Sequence, residues 1–243
     1  QTPQLADPRG VSVHSGLAVL PHPELGVTMA EATVLLLPIH KSDRTTVVDK
    51  KTGRYQGVGE GNTLEIKVND LERLKIDPSQ PEAIFYEPPQ VSTHQGLPVY
   101  QVGSTTPILV ITAKNRQLWR RVTAREYLER LIREGGPDGE AARKQLGQLA
   151  PGAADKPACA ATKRGESVGT CQGSDPTYLV MLNPRYFNTQ KPDAIQLVTV
   201  RLGADAHAKR NERYFQEHPR DPVTQAAKAY AQYDWTQVAA LVE

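Results

Sequence analysis

Between Asn62 and Asn69 the chain alternates without a break, with Leu64, Ile66 and Val68 on one side of an extended backbone and Thr63, Glu65 and Lys67 on the other. Successive side chains of a strand point to opposite faces. The segment therefore predicts a sheet with one face on a core and the other in water, which is an antiparallel arrangement. Thr33-Val34-Leu35-Leu36-Leu37 and Ile108-Leu109-Val110-Ile111 are continuous apolar runs suited to buried strands, the first closed by Pro38. Val11-Ser12-Val13 and Leu17-Ala18-Val19-Leu20 read as short strands interrupted at Gly16. Thr45-Thr46-Val47-Val48 and Arg54-Tyr55-Gln56 flank Asp49-Lys50-Lys51-Thr52-Gly53 as a hairpin flanks its loop. Ala83 to Tyr86 and Val99 to Val102 are shorter strand-like pieces inside Asp77 to Pro107, a stretch interrupted by six prolines. Gln117-Leu118-Trp119 follows as another strand-like piece.

Helical signals come later. Thr123-Ala124-Arg125-Glu126 has the spacing of a capping box, and Val122 and Tyr127 stand where a hydrophobic staple would. Tyr127, Leu128, Leu131 and Ile132 form one apolar face, and Gly135-Gly136-Pro137 stops the helix. This predicts helices at about 123–134 and 139–149. Tyr178 to Leu182 and Ile195 to Leu202 then read as two strands. Helices follow from about Ala204 to His218 and from Asp221, an N-cap with Pro222 behind it, with a last turn opened by Asp234. Strands mostly precede helices rather than alternating with them, so the expected class is α+β, with largely antiparallel sheet in the N-terminal two-thirds. The linear division runs as a tail at 1–10, a strand-rich part at 11–149, a loop or linker at 150–176 and a β-β-α-α part at 177–243. Two strands are marginal alone, so the last part is expected to pack on the first as one structural unit.

Hydrophobic residues make up 39% and charged residues 23% of the 243, which excludes a disordered polyelectrolyte and a fibrous repeat. A net charge of only +2 gives no general electrostatic reason to expect nucleic acid or an anionic membrane as partner. No run of 18 apolar residues is present, so no membrane span is expected. Cys159 and Cys171 lie in a polar stretch rich in alanine, glycine and proline, where free thiols would be exposed to oxidation. A disulfide between them is the economical reading, and it implies an oxidising compartment. Their spacing is far from C-x-x-C and no second pair exists, so zinc is not expected. The start at Gln-Thr-Pro-Gln is what leader removal or trimming to the folded part leaves. The expected location is periplasmic or secreted.

Motifs of chemistry are sparse. Gly57-Val58-Gly59-Glu60-Gly61 lacks both the G-x-G-x-x-G spacing and a following helix, so it reads as a turn or bulge between strands. His14, His22, His40, His94, His207 and His218 form no H-x-H or H-E-x-x-H pattern, and neither a metal site nor a cofactor is expected. Lys114 to Glu134 carries seven basic and three acidic side chains. Pairing Glu126 with Arg130 and Glu129 with Arg133 along the helix would leave Lys114, Arg116, Arg120 and Arg121 unpaired beside Trp119. Arginine beside an exposed indole takes carboxylates, phosphates or anionic glycans; a buried Trp119 with arginines snorkelling outward is the structural alternative. Tyr186 and Phe187, in the turn Asn183 to Asn188, are either a lid on the core or a contact patch.

These residues lead to an exported, non-catalytic binding or interaction module. Its candidate binding residues are Arg116, Trp119, Arg120, Arg121, Tyr186 and Phe187, and its partner is a protein, a glycan or a small anionic ligand. The alternative is a periplasmic or secreted hydrolase whose histidines, carboxylates or serines converge from distant segments. If the cysteines are bridged, Ellman titration of the denatured, unreduced protein finds no thiol, and two after reduction. Two thiols before reduction would remove the bridge and the inference about compartment with it.

Overall fold

The alternating segment forms a strand, β3 (Asn62–Val68), near the middle of a seven-stranded antiparallel sheet. A computed structural model describes residues 10–39, 47–57, 59, 61–103, 107–114, 116–160, 171, 176–203 and 212–243. Contacts divide the chain into two units: Gln1–Lys75 with Gln90–Lys114 and Asn188–Glu243, and Ile76–Pro89 with Asn115–Phe187. Both the 11–149 and the 177–243 stretches thus contribute to both units. The fold is α+β, with ten strands and five helices among the described residues.

In the first unit the strands are β1 (Val11–His22), β2 (Val27–Pro38), β3, β5 (Gln90–His94), β6 (Leu97–Tyr100), β7 (Ile108–Thr112) and β10 (Leu197–Leu202). They lie in the order β1-β2-β3-β10-β7-β6-β5. Gly16 does not interrupt β1: it pairs with Thr33 in an unbroken ladder of twelve residue pairs, because the long β2 beside it holds the glycine extended. The expected hairpin around Asp49 is a single bridge, Val48 to Tyr55, whose turn is held by Lys51 and Thr52 N–H donating to the Asp49 carboxylate. Thr45 and Thr46 lie outside the described residues.

One face of this sheet carries Leu36, Leu64, Val198, Val200, Leu202, Leu109, Ile111 and Val99 and forms the core with α4 (Pro222–Gln232) and α5 (Trp235–Ala239). Asp221 caps α4 by accepting from Val223 N–H at 2.8 Å, and Asp234 caps α5 through Thr236 N–H at 3.1 Å. Trp235, 1% exposed, donates from its indole to the Tyr230 carbonyl at 2.8 Å. The β5–β6 turn grips the junction of these helices. Gln95 and Gly96 take positive φ, as a two-residue hairpin turn requires. The Gln95 amide donates to the Tyr233 carbonyl at 2.7 Å and accepts from Trp235 N–H at 2.8 Å. The helix expected from Ala204 is described only as α3 (Glu212–Glu217).

The opposite face was expected to be wet, and it is not. Lys67 is buried, and its ammonium meets Glu72 at 2.6 Å, Asp70 at 3.2 Å and Glu31 at 3.6 Å. Burial alone would push that ammonium down; hydrogen bonds to Glu72 and Asp70 outweigh it and hold the group above the ordinary lysine value. Glu65 pairs with Arg73 and, at 3.0 Å, with Arg201. The cause is the sharp turn after β3, where Asn69 adopts the left-handed region at φ 54° and leads into the short 3-10 helix Glu72–Leu74. Asn69 is 1% exposed. Its amide nitrogen donates to the carbonyls of Thr28 at 2.8 Å and Ala194 at 2.9 Å. Its oxygen accepts from the N–H groups of Gln196 at 2.9 Å and Leu197 at 3.1 Å.

In the second unit β4 (Ile84–Tyr86), β8 (Trp119–Arg121) and β9 (Leu179–Leu182) form an antiparallel sheet in the order β4-β9-β8. The helical hairpin comprises α1 (Ala124–Glu134) and α2 (Gly136–Gln148). Thr123 and Glu126 make the capping box reciprocally, as their spacing predicts. The second helix starts three residues earlier than expected, because Gly135 at φ 78° reverses the chain at once and Pro137 fits the first turn.

Asn69→Ala leaves two carbonyls and two N–H groups buried without partners, each worth about 1–3 kcal/mol. The variant is expected to lose at least about 3 kcal/mol in urea unfolding, and a loss within about 0.5 kcal/mol would contradict this account.

Candidate functional site

The stretch read as a loop is described from Ala150 to Ala160. Ala124 and Arg125, the first two N–H groups of α1, donate to the carbonyls of Lys156 at 2.9 Å and Ala154 at 2.8 Å. Ala158 donates to Val122 and accepts from Leu179, both within the second unit. Helix N-termini leave such donors without partners of their own, and this segment supplies the acceptors. Cys159, buried, and Cys171 are disulfide-bonded with Cα atoms 5.3 Å apart. Residues 161–170 and 172–175 lie outside the described residues.

Two of the arginines expected to be unpaired, Arg120 and Arg121, are turned onto carboxylates. Arg120 makes a bidentate pair with Glu126, at 2.8 and 3.1 Å, and this pairing holds the Glu126 carboxyl below its usual range. The capping box already aims Glu126 back toward Thr123, beside β8, and so away from the expected partner Arg130. Arg130 pairs instead with Glu134 at 2.8 Å. Arg121 lies 3.5 Å over the centroid of Tyr178 and meets Glu87 at 3.2 Å. Trp119 is half-buried, and its indole N–H reaches the other Glu87 oxygen at 3.4 Å. Arg116 donates to the Tyr186 carbonyl at 3.3 Å. Trp119 and Arg121 thus share Glu87, while Arg120 serves the helix cap and Arg116 serves a turn.

Tyr186 is 1% exposed, with Phe187 edge-on to it at 5.0 Å. The Asn183 side chain fixes the turn by donating to the Gln117 carbonyl at 3.0 Å and accepting from Arg185 N–H at 3.1 Å. Tyr186 therefore faces the interior, while Phe187 is half-buried. Tyr230 and Trp235 are likewise buried.

The described histidines are spread apart. His14 and His22 share β1, eight residues or about 26 Å apart at strand rise. His94 is on β5, at the opposite edge of the sheet, about 29 Å away over six strand spacings. His22 meets Glu24 at 3.1 Å, and the two lie only two residues apart at the hairpin loop. His40 and His207 lie outside the described residues, and among the described ones no three His, Cys, Asp or Glu side chains are placed to hold a metal. In the glycine-rich segment, a Cβ on Gly61 would fall on the Leu36 carbonyl oxygen and one on Gly57 against Leu37 and Ser12, so these glycines let the chain lie against β1 and β2.

What the sequence did not single out is the edge strand β1. Leu17 is 76%, Val19 59% and Leu20 53% exposed. Leu17 pairs with Ala32, Ala32 with Ile66, Ile66 with Val200 and Val200 with Leu109. An apolar row that is core in the middle of the sheet thus runs out into solvent at its edge. Ile39 N–H donates to the Gly10 carbonyl, so even-numbered residues of β1 direct their backbone groups at β2 and odd-numbered ones, Ser15, Leu17 and Val19, direct theirs outward. No described strand pairs with that outer edge. β1 contains no Asp, Glu, Lys or Arg in twelve residues, whereas the opposite edge, β5, has five residues and an irregular register. Short length, charge and bulges are how edges are ordinarily protected; β1 has none of them along Ser15–Leu20. The signal was present in the composition of residues 11–22, but splitting the segment at Gly16 hid its length.

No protein-family profile, curated protein sequence or solved structure matches this chain. The site must be judged on its chemistry. In the core of the larger sheet, burial pushes the Tyr230 phenol up to about 12, with His94 stacked on its ring at 4.6 Å. A phenol whose folded value exceeds its unfolded value near 10 stabilises the fold fully below pH 10, and that stabilisation is lost as pH rises toward 12. Tyr230→Phe is expected to flatten the alkaline fall in unfolding free energy, measured by urea denaturation, by up to about 3 kcal/mol relative to the parent protein. Superimposable pH profiles would refute it.

Proposed function

We propose that this chain is a non-catalytic interaction module of an exported protein, and that it binds a protein partner by adding the partner's extended backbone to the outer edge of β1. The observation that carries the reading is the run Ser15–Leu20, whose backbone row faces outward and whose Leu17, Val19 and Leu20 are exposed. Strand addition draws its affinity from main-chain hydrogen bonds and its selectivity from alternate side chains, and β1 offers both in a strand without charges. Export is supported by the bonded pair Cys159–Cys171, and no described helix is long and apolar enough to cross a membrane.

Protein partners are favoured over anionic ligands on electrostatic grounds. Arg120 and Arg121 are paired with Glu126 and Glu87, so an anion would have to displace a carboxylate already in place. The separation of His14, His22 and His94 gives no support to a hydrolytic site built from them.

Hydrogen exchange tests the reading. At a dilution where the protein is monomeric, a capped, uncharged peptide of alternating valine and threonine is expected to slow exchange at Ser15, Leu17 and Val19. It should leave β5 unchanged, and the same peptide N-methylated at alternate residues should have no effect. Equal exchange at these three amides with and without the peptide would sink the proposal.

A further inference from the structure

We infer that the strand added to β1 is β1 of a second copy of this chain, paired antiparallel about a two-fold axis at Ala18. The inference rests on the edge-strand reading above and names its partner. Three observations select a second copy.

The first is charge. A two-fold antiparallel pair sets each residue against one from the same strand, so any charged strand risks like charges face to face. The twelve residues of β1 carry no Asp, Glu, Lys or Arg, so no register of self-pairing opposes two such charges.

The second is register. Hydrogen-bonded pairing requires outward-directed residues to face each other, which restricts self-pairing to odd residues opposite odd residues. An axis at Ala18 lies within half a residue of the centre of the exposed span His14 to Pro21 and satisfies this condition. Leu17 then faces Val19 of the second copy and Val19 faces its Leu17, with hydrogen bonds exchanged at both places. Ser15 N–H meets the carbonyl of Pro21, a residue that has no N–H to leave unpaired.

The third is shape. Leu17 and Val19 lie on the face that carries the core, so their symmetric meeting forms a four-residue apolar cluster continuous with the row Ala32, Ile66 and Val200. On the other face Leu20 lies over Gly16 of the second copy, large against absent, and Ala18 meets Ala18 at the close approach of a non-hydrogen-bonded pair. The two seven-stranded sheets run on as one of fourteen. A single strand pair with its flanking side chains is a small interface, so association is expected in the micromolar range.

Sedimentation velocity of the full chain from about 1 to 200 µM is expected to show a monomer–dimer equilibrium. Leu17→Lys with Val19→Lys, both at exposed positions, should weaken it at least tenfold, with the urea midpoint unchanged. Register is tested by oxidation: Ala18→Cys should cross-link two chains, whereas Leu20→Cys, about 14 Å from its symmetry mate at strand rise, should not. A monomer at every concentration whose β1 amides are nevertheless slowed by the valine–threonine peptide overturns the second copy and leaves the edge-strand reading standing. A monomer without that protection overturns both. A dimer indifferent to the two lysines, or one that cross-links in the Leu20→Cys variant and not in the Ala18→Cys variant, overturns this pairing.

Discussion

The larger sheet depends on one buried amide. Asn69 closes β3, and its side chain holds the start of β2 through Thr28 and the entrance to β10 through Ala194, Gln196 and Leu197. Three segments from distant parts of the sequence are brought into register by a group with no hydrogen-bonding capacity left over. Its left-handed backbone, which asparagine tolerates better than most residues, also turns the chain onto the opposite face. There Asp70 and Glu72 reach Lys67. Gln196 extends the arrangement by accepting from Asn188 N–H at 2.6 Å and donating to its carbonyl at 3.2 Å.

Several charges among the described residues are neutralised within their own unit. Lys67 has three acids around it, Glu65 has two arginines, and Arg120, Arg121 and Arg125 each meet a carboxylate in their own unit. A buried cation with several hydrogen-bonding acids avoids the penalty of an unpaired charge, whereas exposed pairs add little stability. The long edge strand β1 stands apart from these pairs: its twelve residues carry no Asp, Glu, Lys or Arg, and the backbone groups of its odd-numbered residues face outward.

Much of the fold was legible because its signals are local. The Thr123–Glu126 box, the Asp221–Pro222 start, the alternation of β3 and the apolar run of β7 each contain their cause within a few residues. Where the cause lies across the fold, the linear reading failed. Gly16 looked like a break because β2 was not beside it, and Lys67 looked wet because its acids come from Glu31 and from the turn beyond Asn69. Arg120 looked unpaired because helical spacing assigned Glu126 to Arg130. Of the candidate residues, Trp119 and Arg121 meet at Glu87, Arg120 and Arg116 are drawn to other partners, and Tyr186 is inside. The exposed edge, a property of sheet order, is invisible until the order is known.

That order has a kinetic consequence. β10 lies between β3 and β7, and its Val198 pairs with Val68, 130 residues earlier, and with Ile111, 87 residues earlier. The smaller sheet repeats the pattern, with β9 between β4 and β8. In each sheet the central strand is made last. Nascent chain up to residue 178 therefore lacks the middle of both sheets, and loop closure over such separations is slow. A chain wired this way can complete neither sheet until β9 and β10 have been made, so strands formed early wait on partners far along the sequence.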